Sequence, residues 1–442
     1  MYKTMNYAET VNYLFNVTPV FEHIGAAAYK EGLDNTIALD NHFGNPHRKY
    51  KTIHIAGTNG KGSCSHTLAS ILQKEGYKVG LYTSPHLVDF RERIRVNGKC
   101  ISEERVIKFV EEERHFFEPL HPSFFELTTA LAFKYFEEQE VEIAIIEVGL
   151  GGRLDCTNII NPILSVITNI SLDHTQFLGH TLAAIAGEKA GIIKSGVPVV
   201  IGETVSETRP VFEQKAKENG APITFAEDDA NREVLSCHSL EDGSIGYDTL
   251  HFGNLRGELG GEYQERNTNT ILCAVRQLLR MGIIRHEESV RDGIANVCKT
   301  TGLMGRWQKL QSSPLVICDT GHNAGGWTYL SQQIKRQHCD TCRIVFGMVD
   351  DKDIDTVMNM LPHTATYYFT QAQCKRAIPS DVVAEKASHH NLNGKTFATV
   401  AKAYETALSD AHADDFVFVG GSSYIVADLL VYLKDKENKT EK

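Results

Sequence analysis

Glycines at positions 57, 60 and 62 surround Thr58, Asn59 and Lys61 and are followed by Ser63, a spacing suited to holding phosphate. Glycine lets backbone N–H groups approach an anion, a helix N-terminus adds a favourable dipole, and Lys61 supplies a point charge for terminal phosphates. The strict P-loop pattern fails, because Gly62 separates Lys61 from Ser63 and Ile55 stands at the first glycine position. Further along, Glu147 precedes the run Gly149-Leu150-Gly151-Gly152-Arg153-Leu154-Asp155, His174 follows Asp173, and Lys189 lies between Glu188 and Ala190. Ligands gather at the carboxyl ends of parallel strands, so a carboxylate delivered there is placed to meet a metal or a nucleotide. Asp319 with His322 and Asn323 forms a second polar strand end, later in the chain.

These groups need a scaffold, and the apolar pattern supplies one. The run from Ile53 to Ala56 reads as a strand, and Leu68, Ile71 and Leu72 recur at helical spacing within 63–73. Short apolar runs at 78–83, 141–146, 163–168 and 197–201 read as further strands. Between them, 102–117 reads as a helix capped by Ser102, with 124–136 and 187–194 also helical. Strand–helix alternation predicts a doubly wound, mostly parallel sheet. The polar segment 84–94 is expected to be an ordered functional loop. Residues 203–261 loosen into short, polar, strand-like pieces, after which helices are expected at 268–281 and 287–298. Gly302 to Gly305 reads as a hinge. Strands at 315–319, 343–347, 365–370 and 416–419 then predict a smaller Rossmann-like α/β domain. The expected division is 1–303, opening with a mainly helical segment, then 304–435, then a charged, frayed tail at 436–442.

Composition narrows the function. A chain of 442 residues with 42% hydrophobic and 23% charged residues has the makings of two or three folded domains. The formal charge of −11 and the lack of a long basic run argue against a nucleic-acid partner. The N-terminus does not read as a signal peptide, and no apolar run is long enough to span a membrane. Ten scattered cysteines fit reduced thiols in a cytoplasm, and Cys339-Asp340-Thr341-Cys342 reads as a surface coincidence.

In order along the chain, several motifs resemble the folate branch of the Mur ligase family, and the resemblance covers nearly all of it. They are Gly57–Ser63, Thr83-Ser84-Pro85-His86 with Arg91-Glu92-Arg93, Glu147–Asp155, Leu172-Asp173-His174 and Gly187–Ile192. Gln264 with Asn267, Gly305-Arg306, and Asp319 with His322 and Asn323 complete the set. The chain departs from the family in reading Gly321 and Ala324 where alanine and proline are usual.

The resemblance implies ATP-dependent amide formation through an acyl phosphate, joining L-glutamate to dihydropteroate, to the glutamate chain of a reduced folate, or to both. It implies ATP bound by Gly57, Thr58, Asn59, Gly60, Lys61, Gly62 and Ser63 together with Asn267, Arg306, Asp319 and His322. It implies a pair of magnesium ions held by Ser84, Glu147 and His174, and a carbamylated Lys189. Lys61, Lys189 and His174 are the expected catalytic residues, and Phe124, Arg153, Leu154 and Asp155 the expected substrate contacts. Closure of two domains over MgATP and a monomeric state are also implied. The rival expectations are a Mur-family ligase for a cell-wall precursor and a nucleotide-binding ATPase without a ligase reaction.

Overall fold

A computed structural model describes residues 5–17, 32–350 and 352–440. Part of the expected N-terminal helical segment lies outside these residues; the described part holds helices Tyr7–Val17 and Asp34–His42. The chain divides into two compact units. The first comprises Met1–Leu240, Ser244–Glu258 and Glu265–Leu303, and the second Glu241–Gly243, Leu259–Gln264 and Met304–Lys442.

The main sheet of the first unit has eight strands among the described residues. They are β1 (Lys51–Ala56), β2 (Val79–Tyr82), β3 (Ile94–Val96), β4 (Lys99–Cys100), β5 (Ile143–Glu147), β6 (Leu164–Ile167), β7 (Val199–Ile201) and β8 (Ile223–Phe225). Their order is β4-β3-β2-β5-β1-β6-β7-β8, parallel from β2 to β8 and antiparallel at the β3 and β4 edge. The central strands are buried almost throughout because helices cover both faces, which leaves no solvent-facing side. On one face Leu68, Ile71 and Leu72 of helix Lys61–Lys74 pack with Ile53, Ile55, Ile143 and Ile145. A second cluster gathers Phe109, Phe117, Phe124, Phe133 and Phe136.

One expectation in this unit is met only in part and another fails. The segment 203–261 is more regular than its polarity suggests. It contains helix Arg209–Glu218, strand β8 and an antiparallel sheet of β9 (Val234–Ser239), β10 (Ile245–Thr249) and β11 (Gly253–Gly257). Exposed faces account for the low hydrophobicity, since β9 buries little beyond Val234. The helix carrying Lys189 spans only Leu182–Ala190, so Gly191 to Lys194 lie beyond it.

Among the described residues the second unit has six strands, β12 (Gln308–Ser312), β13 (Leu315–Asp319), β14 (Cys342–Phe346), β15 (Thr366–Phe369), β16 (Gly394–Thr396) and β17 (Phe416–Gly420), ordered β12-β13-β17-β14-β15-β16. Only β12 is antiparallel to its neighbour. Trp327, fully buried, packs edge-on against Phe346 and Phe418 to anchor its core. The expected frayed tail is instead helical through Thr440, as the C-terminal end of helix Ser423–Thr440, where lysine and glutamate are good helix formers. Among the described residues no helix is long and apolar enough to cross a membrane.

Candidate active site

Sheet order assembles the site. The adjacent parallel strands β2, β5, β1 and β6 deliver Ser84, Glu147, the Gly57–Ser63 loop and the segment 168–174 to one edge. From β1 the chain crosses to β2 on one side, and from β5 to β6 on the other, which makes this edge a topological switch point.

The loop conformation requires two of its glycines. Gly57 has φ +144°, and a Cβ there would stand 1.9 Å from Thr168 Oγ1; Gly60 has φ +84°, and a Cβ there would stand 2.2 Å from Asn267 Oδ1. Gly60 is also the residue from which helix Lys61–Lys74 starts, so the helix N-terminus faces the loop. Replacing Gly60 by alanine combines left-handed strain with a clash against a half-fixed amide. Strain of about 1–3 kcal/mol predicts roughly tenfold or greater weakening of ADP binding, measurable by calorimetry.

Neighbouring strand ends fix the rest of the loop. Asn169 accepts from Asn59 N–H through Oδ1 at 2.9 Å and from Thr58 N–H through its carbonyl at 2.9 Å. Thr58 Oγ1 accepts from Ser171 N–H at 3.0 Å, and the Thr168 hydroxyl donates to Asn59 O at 2.5 Å.

Two lysines converge on one carbonyl. Lys61 Nζ donates to Gly57 O and Thr58 O, each at 3.1 Å, and Lys189 Nζ donates to the same Gly57 O at 2.9 Å. Lys189 is 4% exposed. Burial, then the Lys61 charge, pulls its pKa down to about 7, against an opposing pull from Asp173 and Asp155.

Glu147, almost fully buried at the end of β5, accepts from Ser84 N–H at 3.3 Å. His174 adopts a left-handed backbone, and its N–H donates to Asp173 Oδ1 at 2.9 Å. Among the described residues no three His, Cys, Asp or Glu side chains converge as a metal cage. A carboxylate and a hydroxyl still suit magnesium, which prefers hard oxygens and few protein ligands.

Asp155 is buried and organises its own loop. Its Oδ2 accepts from Gly149 N–H at 3.0 Å and Leu150 N–H at 2.9 Å, while Oδ1 accepts from the Thr157 N–H and hydroxyl. Burial, the first cause, pushes its pKa up despite these donors. Gly152 brings the loop against the helix of Lys189, where a Cβ would meet Glu188 O at 2.8 Å. Arg153 is exposed and pairs with Glu188 at 2.9 Å, and Leu154 is half-buried. Phe124 is buried, stacked on Phe15 at 4.5 Å, with the Arg93 guanidinium 5.1 Å over its ring. Arg93 Nε donates to His86 Nδ1 at 2.8 Å, which fixes the histidine as the Nε2–H tautomer.

Beneath this loop sits a histidine that sequence reading passed over. His54, fully buried in β1, donates from Nε2 to the Thr157 hydroxyl at 2.8 Å, and that hydroxyl donates on to Asp155. Burial, then the Lys194 charge, lowers its pKa to about 3. The unfolded chain therefore binds more protons between pH 6.5 and about 3, and stability falls as pH drops through that window. Urea midpoints of a His54→Asn variant are expected to show a shallower pH slope there than wild type.

In the second unit Asp319 ends β13. Its Oδ2 accepts from Tyr263 OH at 2.6 Å and Trp307 N–H at 2.7 Å, and its Oδ1 accepts from Gly321 N–H at 2.8 Å. Burial raises its pKa first, and Arg306 opposes the rise. His322 Nδ1 is 3.1 Å from Thr320 O, and Asn323 caps helix Ala324–Lys335 by accepting from Gly326 N–H at 2.9 Å. Tyr263 gave no sequence signal, because its partner is 56 residues away.

A family model described as the Mur ligase middle domain matches residues 55–268, and one described as the Mur ligase, glutamate ligase domain matches 305–423. The dihydrofolate synthase/folylpolyglutamate synthase of Escherichia coli is 36% identical over 377 residues, covering 85% of each chain. The chain belongs to the Mur ligase family, in its folylpolyglutamate synthase/dihydrofolate synthase branch. A probable bifunctional folylpolyglutamate synthase/dihydropteroate synthase of Haloferax volcanii is 32% identical, and this Mur ligase chain spans 50% of its length. E. coli FolC in complex with DHPP and ADP superposes with TM-score 0.83 at 32% identity, covering 98% of this chain and 99% of that one. A Yersinia pestis bifunctional folylpolyglutamate synthase/dihydrofolate synthase with AMPPNP and Mn ion gives TM-score 0.78 at 28% identity, covering 98% of each chain. The α/β fold, with a mostly parallel N-terminal sheet and a separate smaller C-terminal α/β unit, is that of this family.

Proposed function

We propose that this Mur-family chain is an ATP-dependent ligase that adds L-glutamate to dihydropteroate, to the glutamate chain of reduced folates, or to both. The observation that carries this is the convergence of Lys61 and buried Lys189 on Gly57 O in a phosphate loop flanked by Glu147 and Ser84. Relatives solved with ADP and DHPP, and with AMPPNP and Mn, support a nucleotide, a divalent metal and a folate-type substrate.

The substrate carboxylate attacks the γ-phosphorus of ATP, the bond to the bridging oxygen breaks, and ADP leaves behind an acyl phosphate. The glutamate amine then attacks that carbonyl, phosphate departs, and the amine proton is lost. The loop N–H groups and Lys61 position the phosphates and offset their charge. Glu147, Ser84 and His174 would hold the magnesium, which neutralises phosphate charge when bound. Lys189, its pKa pulled down to about 7 and its amine therefore partly neutral at that pH, is poised to take up CO2 as a carbamate, releasing one proton. Phe124, Arg153, Leu154 and Asp155 are proposed to shape the folate site, with Asp155 acting through the loop it organises. Asn267, Arg306, Asp319 and His322 are proposed nucleotide residues, and the chain a cytoplasmic monomer with ten free cysteines.

Phosphate release should require ATP, magnesium, glutamate and a pterin carboxylate together, with mass spectrometry of products from dihydropteroate and from tetrahydrofolate assigning the substrate. Release with a UDP-linked cell-wall precursor, or without glutamate, would favour the two rivals.

A further inference from the structure

The phosphate loop is held from outside by a chain of polar groups that none of the motifs contains. Asn59 N–H can only donate, so the Asn169 amide must present its oxygen to it, as the 2.9 Å contact has it. That choice turns Asn169 Nδ2 the other way, and there it donates to Glu203 Oε1 at 3.2 Å. Glu203 follows β7, and its own N–H donates to Thr168 O at 2.9 Å. Gly202 makes this approach possible, since a Cβ there would stand 2.2 Å from Thr168 O. The other oxygen, Glu203 Oε2, pairs with Arg266, which immediately precedes Asn267. Asn267 in turn packs against Gly60, on the far side of the same loop.

We propose that Glu203 is a positioning residue for nucleotide binding: it sets the orientation of the Asn169 amide and tethers the helix that places Asn267 against Gly60. The inference rests on the nucleotide reading of the loop. An asparagine amide can turn over, and without an acceptor at Nδ2 nothing distinguishes its two orientations from that side. In the wrong one, an NH2 group faces Asn59 N–H and leaves that donor unsatisfied at the loop. Only a carboxylate serves both arms fully, accepting from the amide on one oxygen and pairing with a guanidinium on the other. Glutamine keeps the first arm through its carbonyl oxygen and loses the charge of the second.

The test compares Glu203→Ala and Glu203→Gln with wild type by ADP calorimetry, by KM for ATP and kcat in phosphate release, and by melting temperature. The lost hydrogen bond predicts that Glu203→Ala weakens ADP binding and raises KM for ATP by about tenfold, with kcat within about twofold. Glu203→Gln should recover most of this loss, to within about threefold of wild type. Unchanged ADP binding in Glu203→Ala would overturn the inference. So would equal impairment of both variants, or a fall in kcat or melting temperature without a change in ADP affinity. Failure of wild type to bind ADP would instead overturn the nucleotide reading beneath it.

Discussion

Replacing Lys189 by alanine is expected to lower the rate of ATP-dependent phosphate release by about 100- to 1,000-fold, the scale seen when one preorganised charge-stabilising group is removed. The expectation follows from placement. Lys189 is buried, its amine reaches the carbonyl that begins the phosphate loop, and Lys61 shares that carbonyl. Burial first, and then repulsion from the nearby Lys61 charge, favours the neutral form of Lys189. A neutral amine reacts with CO2 and an ammonium does not, so activity should fall as pH drops below about 7. The same shift affects folding. The unfolded chain binds more protons between about 7 and 10.5, so stability rises with pH across that interval. Carbon-13 NMR with labelled bicarbonate should show a carbamate in wild type that Lys189→Ala lacks. Full activity of Lys189→Ala would refute this role.

Glu147→Gln carries the second large expectation. Glutamine keeps the volume and still offers an oxygen to Ser84 N–H, so the fold and melting temperature should change little. It removes the negative charge from the buried end of β5, where a divalent cation would otherwise find its carboxylate ligand. Activity should fall by about 100-fold or more, with half-saturation by magnesium shifted upward. A variant with wild-type magnesium dependence would show that Glu147 serves only to position Ser84.

Local chemistry explains why some of this was legible in the chain and some was not. The Gly57–Ser63 loop announces itself because its backbone needs glycine at two positions and its lysine lies within the same few residues. Glu147 and Ser84 could be read as strand ends because apolar runs precede both. Their adjacency could not, since periodicity does not say that β5 inserts between β1 and β2. The strands β9–β11 show in the chain only as short, polar, strand-like pieces, because β9 and β11 keep much of their length exposed. The groups that hold the loops in place were the hardest to find. His54 looks like any other residue of a buried strand until Thr157 and Asp155, 103 and 101 positions away, are seen bonded in line with it. Glu203 looks like a polar strand end until Asn169 and Arg266 are seen on either side of it.

The same division bears on specificity. The proposed phosphate contacts are groups that sequence spacing displays, whereas the aromatic packing around Phe124, a proposed substrate contact, is assembled only by the fold. Fold and motif therefore speak for the ligase reaction, whereas the choice of acceptor depends on the shape of the site rather than on motif.

Transfer of oxygen from substrate to phosphate tests passage through an acyl phosphate. Dihydropteroate labelled with oxygen-18 in its carboxylate is incubated with ATP, magnesium, glutamate and the enzyme, and the released phosphate is analysed by mass spectrometry. Passage through an acyl phosphate predicts one labelled oxygen in each phosphate released with amide formation. Amide product accompanied by unlabelled phosphate, or phosphate released without amide, would contradict it.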